Sequence, residues 1–181
     1  MRRLLFQALV SPPLTEPLKR DEGAELVELA SKLNQAARSR LGRSLSIREI
    51  DAGSCNGCEL EINALSSAFY DLEHFGLRFV ASPRHADVLL VTGPVTRNMR
   101  DALNNAYNAM PHPKWVVAAG DCAIDGGCFA GSYAVVGAAS QIVPVDLAVH
   151  GCPPSPSQLL QGLVSLMKWP SRSASGQLPD S

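Results

Sequence analysis

The chain has 181 residues, enough for one domain with a sizeable core and too few for two ordinary ones. Apolar residues make up 46% and charged residues 18%, and the formal net charge is −1, so nothing electrostatic points to nucleic acid as a partner. The five cysteines are too few, and odd in number, for a secreted disulfide framework. This composition suits a subunit that buries much of its surface against other chains, and equally an Ala-rich monomer with a large core.

The start, Met1-Arg-Arg-Leu-Leu-Phe-Gln-Ala-Leu-Val10, has the look of a signal peptide. Ser11-Pro-Pro-Leu-Thr-Glu-Pro17 then cuts it off, and no small-residue cleavage site follows a long apolar region. No run of eighteen or more apolar residues exists. The expectation is a cytoplasmic protein whose residues 1–21 form an extended docking segment. An α/β domain over 22–169 and a disordered polar tail over 170–181 are expected to follow.

A helix is predicted from about Glu22 to Leu41, with Leu26, Ala30, Leu33, Ala37 and Leu41 on one face and Gly42 as its stop. Ser46-Leu-Ser-Ile-Arg-Glu-Ile50 has strand character and ends in Asp51-Ala-Gly-Ser-Cys-Asn-Gly-Cys-Glu59. Behind this turn, Leu60, Ile62, Leu65, Phe69 and Leu72 repeat at helical spacing, which predicts a helix up to Gly76. A short strand over 77–81, a turn at Ser82-Pro-Arg-His85 and a continuous apolar strand over 86–92 come next. The pattern then predicts a helix from about Thr96 to Met110, with Met99, Leu103, Ala106 and Tyr107 inward. A strand over 114–119 leads into a Gly-rich loop, Gly120-Asp-Cys-Ala-Ile-Asp-Gly-Gly-Cys-Phe129. The last strand, over 142–149, takes an edge position because of Pro144. His150-Gly-Cys-Pro-Pro-Ser155 turns into a closing helix over 155–169. Solid apolar strands alternating with helices imply an open parallel sheet with helices on both faces.

Three cysteine-bearing loops each follow a predicted strand: Cys55 and Cys58, then Cys122, then Cys152. In such a sheet the C-terminal strand ends share one edge, so these four thiols converge without being near in sequence. Four thiolates favour an iron–sulfur cluster or zinc. Structural zinc usually pairs two close-spaced knuckles, whereas Cys122 and Cys152 stand singly, which favours a four-iron cluster. A thioredoxin-like use of Cys55-x-x-Cys58 leaves Cys122 and Cys152 unexplained, as does an FMN site at Gly93-Pro-Val-Thr-Arg97. A phosphate cradle in 120–127 lacks Lys or Ser/Thr at P-loop spacing.

Cys128 is read as a small apolar residue packed beneath the loop. Glu59 is read first as an acid complementing the dipole of its helix and second as a proton relay. His150 is in reach of a hydrogen bond to sulfur. Arg84 and His85 belong to the cysteine side only if the strand before them has been placed correctly.

Cys55-Asn-Gly-Cys-Glu59, Ser82-Pro-Arg-His-Ala-Asp-Val-Leu-Leu-Val-Thr-Gly93, Gly120-Asp-Cys122, Ile142-Val-Pro-Val-Asp146 and Gly151-Cys-Pro-Pro154 together resemble one family. It unites the small subunits of complex I-like, membrane-bound [NiFe]-hydrogenases with the B subunit of NADH–quinone oxidoreductase. The resemblance runs from about Ile47 to Leu166 and implies a flavodoxin-like fold. It also implies a [4Fe–4S] cluster on Cys55, Cys58, Cys122 and Cys152, with Cys128 left out. The B subunits carry adjacent cysteines at the first site. Asn56 and Gly57 intervene here, which is similar to the formate hydrogenlyase type of hydrogenase.

Arg2-Arg3 is similar to the export signal of uptake hydrogenase small subunits, but the long apolar region and the Cys-rich C-terminal domain of that branch are not expected. The implied role is electron transfer in an oxidoreductase complex, from the cytoplasmic side of the inner membrane. The implied partners are a hydrogenase-like large subunit, a ferredoxin-like iron–sulfur subunit and membrane subunits. The alternatives are a quinone-reducing B-like subunit, or a related complex without a Ni–Fe centre.

Overall fold

The computed structural model describes residues 21–168, with side chains from residue 25, so the expected docking segment and tail lie outside the described residues. Helix α1 (Asp21–Leu41) is amphipathic as predicted: Ala30, Leu33 and Ala37 are buried, with Leu26 and Leu41 packed against the same core. Gly42, at φ +68°, closes it by donating its N–H to the Arg38 carbonyl.

Strands β1 (Leu45–Asp51), β2 (Leu77–Phe79), β3 (Val88–Thr92), β5 (Trp115–Ala119) and β7 (Leu147–Val149) form one parallel sheet in the order β2-β1-β3-β5-β7. This is the flavodoxin-like order, with its switch point beside β1 and β3. All five residues of β3 and all five of β5 are buried. Their alternation feeds two cores, as a sheet covered on both faces requires. Val88, Leu90, Trp115 and Val117 join α1, α2 (Gly57–Leu65) and α5 (Pro156–Lys168) on one face. Leu89, Val91, Val116 and Ala118 meet α3 (Arg100–Ala109) and α4 (Asp121–Asp125) on the other.

The structure departs from the periodicity in four places. Helix α2 stops at Leu65 and not at Gly76, and Leu60 and Phe69 of the helically spaced set are 62% and 70% exposed. Ser66-Ser67 ends the helix, and Leu72 reaches the core through a turn in which its N–H donates to the Leu65 carbonyl. The last strand starts only at Leu147, because Pro144 has no N–H and Asp146 replaces a rung of the ladder. Asp146 Oδ2 accepts from the Val116 N–H, and the Asp146 N–H donates to the Val116 carbonyl, both at 2.8 Å. The loop predicted after β5 holds α4 and a 3-10 turn (Gly127–Phe129). Finally, β4 (Val95–Thr96) and β6 (Val135–Gly137) make a small antiparallel ribbon, too short to show as a periodic pattern.

Candidate functional site

The three cysteine turns emerge from the C-terminal ends of β1, β5 and β7, so they share the edge where this topology binds ligands. One cavity there is lined by Cys55, Cys58, Cys122 and Cys152, with Gly93 and Gly151 between them. Cys58 is buried, Cys122 half-buried, and Cys55 and Cys152 exposed at the rim. Cys128 is also exposed, so the expectation of a thiol packed beneath the loop is not met, and it is not among the cavity's lining residues.

Hydrogen bonds within and between the turns hold them in place. Asp51 Oδ1 accepts from Gly53 N–H at 2.8 Å and Ser54 N–H at 2.7 Å, and Ser54 Oγ accepts from Asn56 N–H at 3.0 Å. Asn56 sits in the left-handed region, which Asn tolerates, and this swings the chain into α2 so that Cys58 points inward. Asp121 Oδ1 accepts from Gly151 N–H at 3.1 Å, and Asp125 Oδ1 from Gly127 N–H at 2.7 Å.

Two glycines are required by the sulfur atoms. A Cβ on Gly120, at φ +89°, would lie 2.6 Å from Cys58 Sγ. One on Gly127, at φ +51°, would lie 2.7 Å from Cys122 Sγ. Only a residue without a side chain lets the backbone pass this close.

The electrostatics fit a positive centre. Burial pushes the Cys58 thiol up to about 12, and the negative charges of Glu59, Cys122, Cys55 and Cys152 add to the rise. Burial likewise raises Cys122, with Cys128, Cys152 and Cys55 contributing, against a lowering hydrogen bond from the Cys128 backbone. Four thiolates gathered here repel one another unless cationic metal neutralises them, and an all-sulfur donor set suits iron–sulfur or zinc.

Glu59 is only 7% exposed, and neither carboxylate oxygen has a hydrogen-bond partner among the described residues. An acid serving only the helix dipole would stay solvated, so that reading leaves the burial unexplained. Glu49, in β1, is close enough to feel the charge of Glu59 and pairs in register with the core residue Leu90. Burial raises its carboxyl to about 7, with Glu59 and Asp51 adding to the shift and Arg48 opposing it.

His150 is exposed and faces Asp121 at 3.3 Å, so the contact recorded for it is to a carboxylate and not to sulfur. Arg84 and His85 lie at the opposite edge. Val80 and Asp87, on either side of them, donate to the carbonyls of Ile47 and Ser46, level with the start of β1. Sequence reasoning gives no role to Glu49 or Asp121. The available signals were an acid one place before the strand's last apolar residue, and an acid beside a strand-end cysteine.

Fold and site together define a class: a parallel α/β protein with a sulfur-lined cavity at its strand ends. The chain belongs to the family described as NADH ubiquinone oxidoreductase, 20 kDa subunit, which matches residues 55–166 and so includes all four cavity thiols. Formate hydrogenlyase subunit 7 of Escherichia coli K12 is 43% identical over 135 residues, 75% of this chain. A probable membrane-bound hydrogenase subunit, mbhJ, of Pyrococcus furiosus is 42% identical over 139 residues, 77% of this chain. The chain spans 53% of the first relative and 83% of the second. A chain in the structure of the membrane-bound sulfane sulfur reductase, an archaeal respiratory membrane complex, superposes with a TM-score of 0.62 at 34% identity. That match covers 76% of this chain and 74% of the other. The resemblance drawn from the motifs and the flavodoxin-like fold are both borne out.

Proposed function

We propose that the chain is the electron-transfer subunit of a membrane-bound hydrogenase-type complex, with Cys55, Cys58, Cys122 and Cys152 holding a [4Fe–4S] cluster. The observation that carries this reading is the cavity lined by four thiols from three strand-end turns, within the residues that match the family. The relatives named as hydrogenase and formate hydrogenlyase subunits supply the class of complex. When bound, such a cluster takes up and releases one electron at a time.

The chain's own residues do the rest. Cys58, held against Gly120, supplies the inner wall, and Cys55 and Cys152 supply the rim that faces a partner. The two apolar cores beneath the sheet edge keep water from the inner side and fix the turns. The proposed partners are a hydrogenase-like large subunit bearing the Ni–Fe centre, a ferredoxin-like iron–sulfur subunit and membrane subunits. No helix among the described residues is long and apolar enough to cross a membrane. The proposed position is peripheral, on the cytoplasmic side, with attachment through partner subunits.

The structural likeness to a sulfane sulfur reductase supports a second reading, in which the partner large subunit carries no nickel. Isolating the complex through this chain and assaying nickel together with hydrogen-dependent dye reduction separates the two. Nickel with hydrogen-dependent activity is expected. A nickel-free complex that reduces sulfane sulfur instead establishes the second reading.

A further inference from the structure

We propose that Asp121 is a positioning residue that locks the Cys122 and Cys152 turns together. The proposal rests on the ligand role proposed above for these two cysteines. They reach the cavity from β5 and β7, whose ladder runs along Val117–Ala119 and Leu147–Val149. Just beyond, Gly120 N–H donates to the Val149 carbonyl at 2.8 Å and Asp121 N–H to the Gly151 carbonyl at 2.9 Å. The Asp121 carboxylate then returns to the same residue, its Oδ1 accepting the Gly151 N–H at 3.1 Å, with His150 Nδ1 3.3 Å from that oxygen. Asp121 therefore holds Gly151 at both its N–H and its carbonyl.

Gly151 is the joint that most needs holding. It sits one residue before Cys152 at φ +143°, where a Cβ would meet the Pro154 backbone at 2.5 Å, so the position requires glycine and the freedom that comes with it. Of the three aspartates at the site, Asp51 and Asp125 act within their own turns, and Asp121 bridges two. An alanine at 121 keeps the backbone bond to the Gly151 carbonyl and loses the carboxylate bond to its N–H. A hydrogen bond to a charged group is worth enough to slow opening of that amide by about tenfold.

The test compares wild type, Asp121→Ala and Asp121→Asn by hydrogen exchange at the Gly151 amide of the full chain. It adds the rate at which iron leaves the anaerobically isolated complex for a chelator. Asp121→Ala is expected to speed both about tenfold, and Asp121→Asn, whose Oδ1 still accepts the N–H but without the charge, to restore both in part. Wild-type rates in Asp121→Ala overturn the proposal, as does a failure of Asp121→Asn to restore them even in part. A wild-type protein without iron defeats the cluster reading alone, because the exchange comparison still decides whether the clamp exists. If Asp121→Ala does not fold, a partial acceleration of Gly151 exchange in Asp121→Asn supports the clamp and a wild-type rate overturns it.

Discussion

Gly120 and Gly127 stand where a methyl group would strike a sulfur, at 2.6 and 2.7 Å, and both have positive φ. The neighbour is in each case a proposed ligand, so relief by moving the sulfur would displace it from the cavity. Gly120→Ala is expected to reduce iron per chain several-fold while the far-ultraviolet circular dichroism stays that of wild type. Full iron content in the variant would show that the close approach has no bearing on the site.

Glu49 makes a different prediction. Its carboxyl is raised to about 7, chiefly by burial, so the folded state prefers the protonated form. The stability this contributes is complete below the ordinary carboxylate range and is lost as pH rises through about 7. Glu49→Gln is therefore expected to flatten the fall in melting temperature between about pH 5 and pH 8. It gains about 1 kcal/mol over wild type at the upper end, once solvent screening of a half-buried group is allowed for. Parallel pH profiles for the two proteins would contradict this account of Glu49.

Elements were legible in the sequence where their burial pattern was regular. The apolar runs of β3 and β5 and the spaced Leu and Ala residues of α1 showed their roles because each is buried as the period requires. The run from Leu60 to Leu72 misled, since an apolar residue in a turn can fall at helical spacing by chance, as Phe69 does. The start of β7 was hidden because Asp146 substitutes its carboxylate for a backbone group, which no periodicity records.

Asp87 is a second aspartate of this kind, at the far edge of the sheet. It is 1% exposed, pairs with both terminal nitrogens of Arg43, and accepts the Ser46 N–H at 3.0 Å. Asp87→Ala leaves that buried N–H unpaired and is expected to cost about 2–4 kcal/mol in urea unfolding. Its iron content per folded chain should remain that of wild type. A loss within the scatter of ordinary surface substitutions would contradict the structural role given to this carboxylate.

At the scale of the whole molecule, the site is a consequence of strand order. Cysteines 30 to 97 positions apart, Cys122 to Cys152 and Cys55 to Cys152, share one cavity because β1, β5 and β7 all point the same way. That convergence was legible, since a cysteine just past a strand is visible in sequence and a parallel sheet puts such positions on one edge. The exposure of Cys128 and the Asp121 link between turns were not, because both depend on loop geometry that only the folded backbone defines.

The central claim is that these four thiols, and not the fifth, hold a redox-active cluster. The most direct measurement is electron paramagnetic resonance of the dithionite-reduced complex, with iron and acid-labile sulfide analysis, in wild type, Cys152→Ser and Cys128→Ser. The account predicts a cubane signal that Cys152→Ser abolishes or alters and Cys128→Ser leaves unchanged. Zinc in place of iron, or a signal indifferent to Cys152, would contradict it.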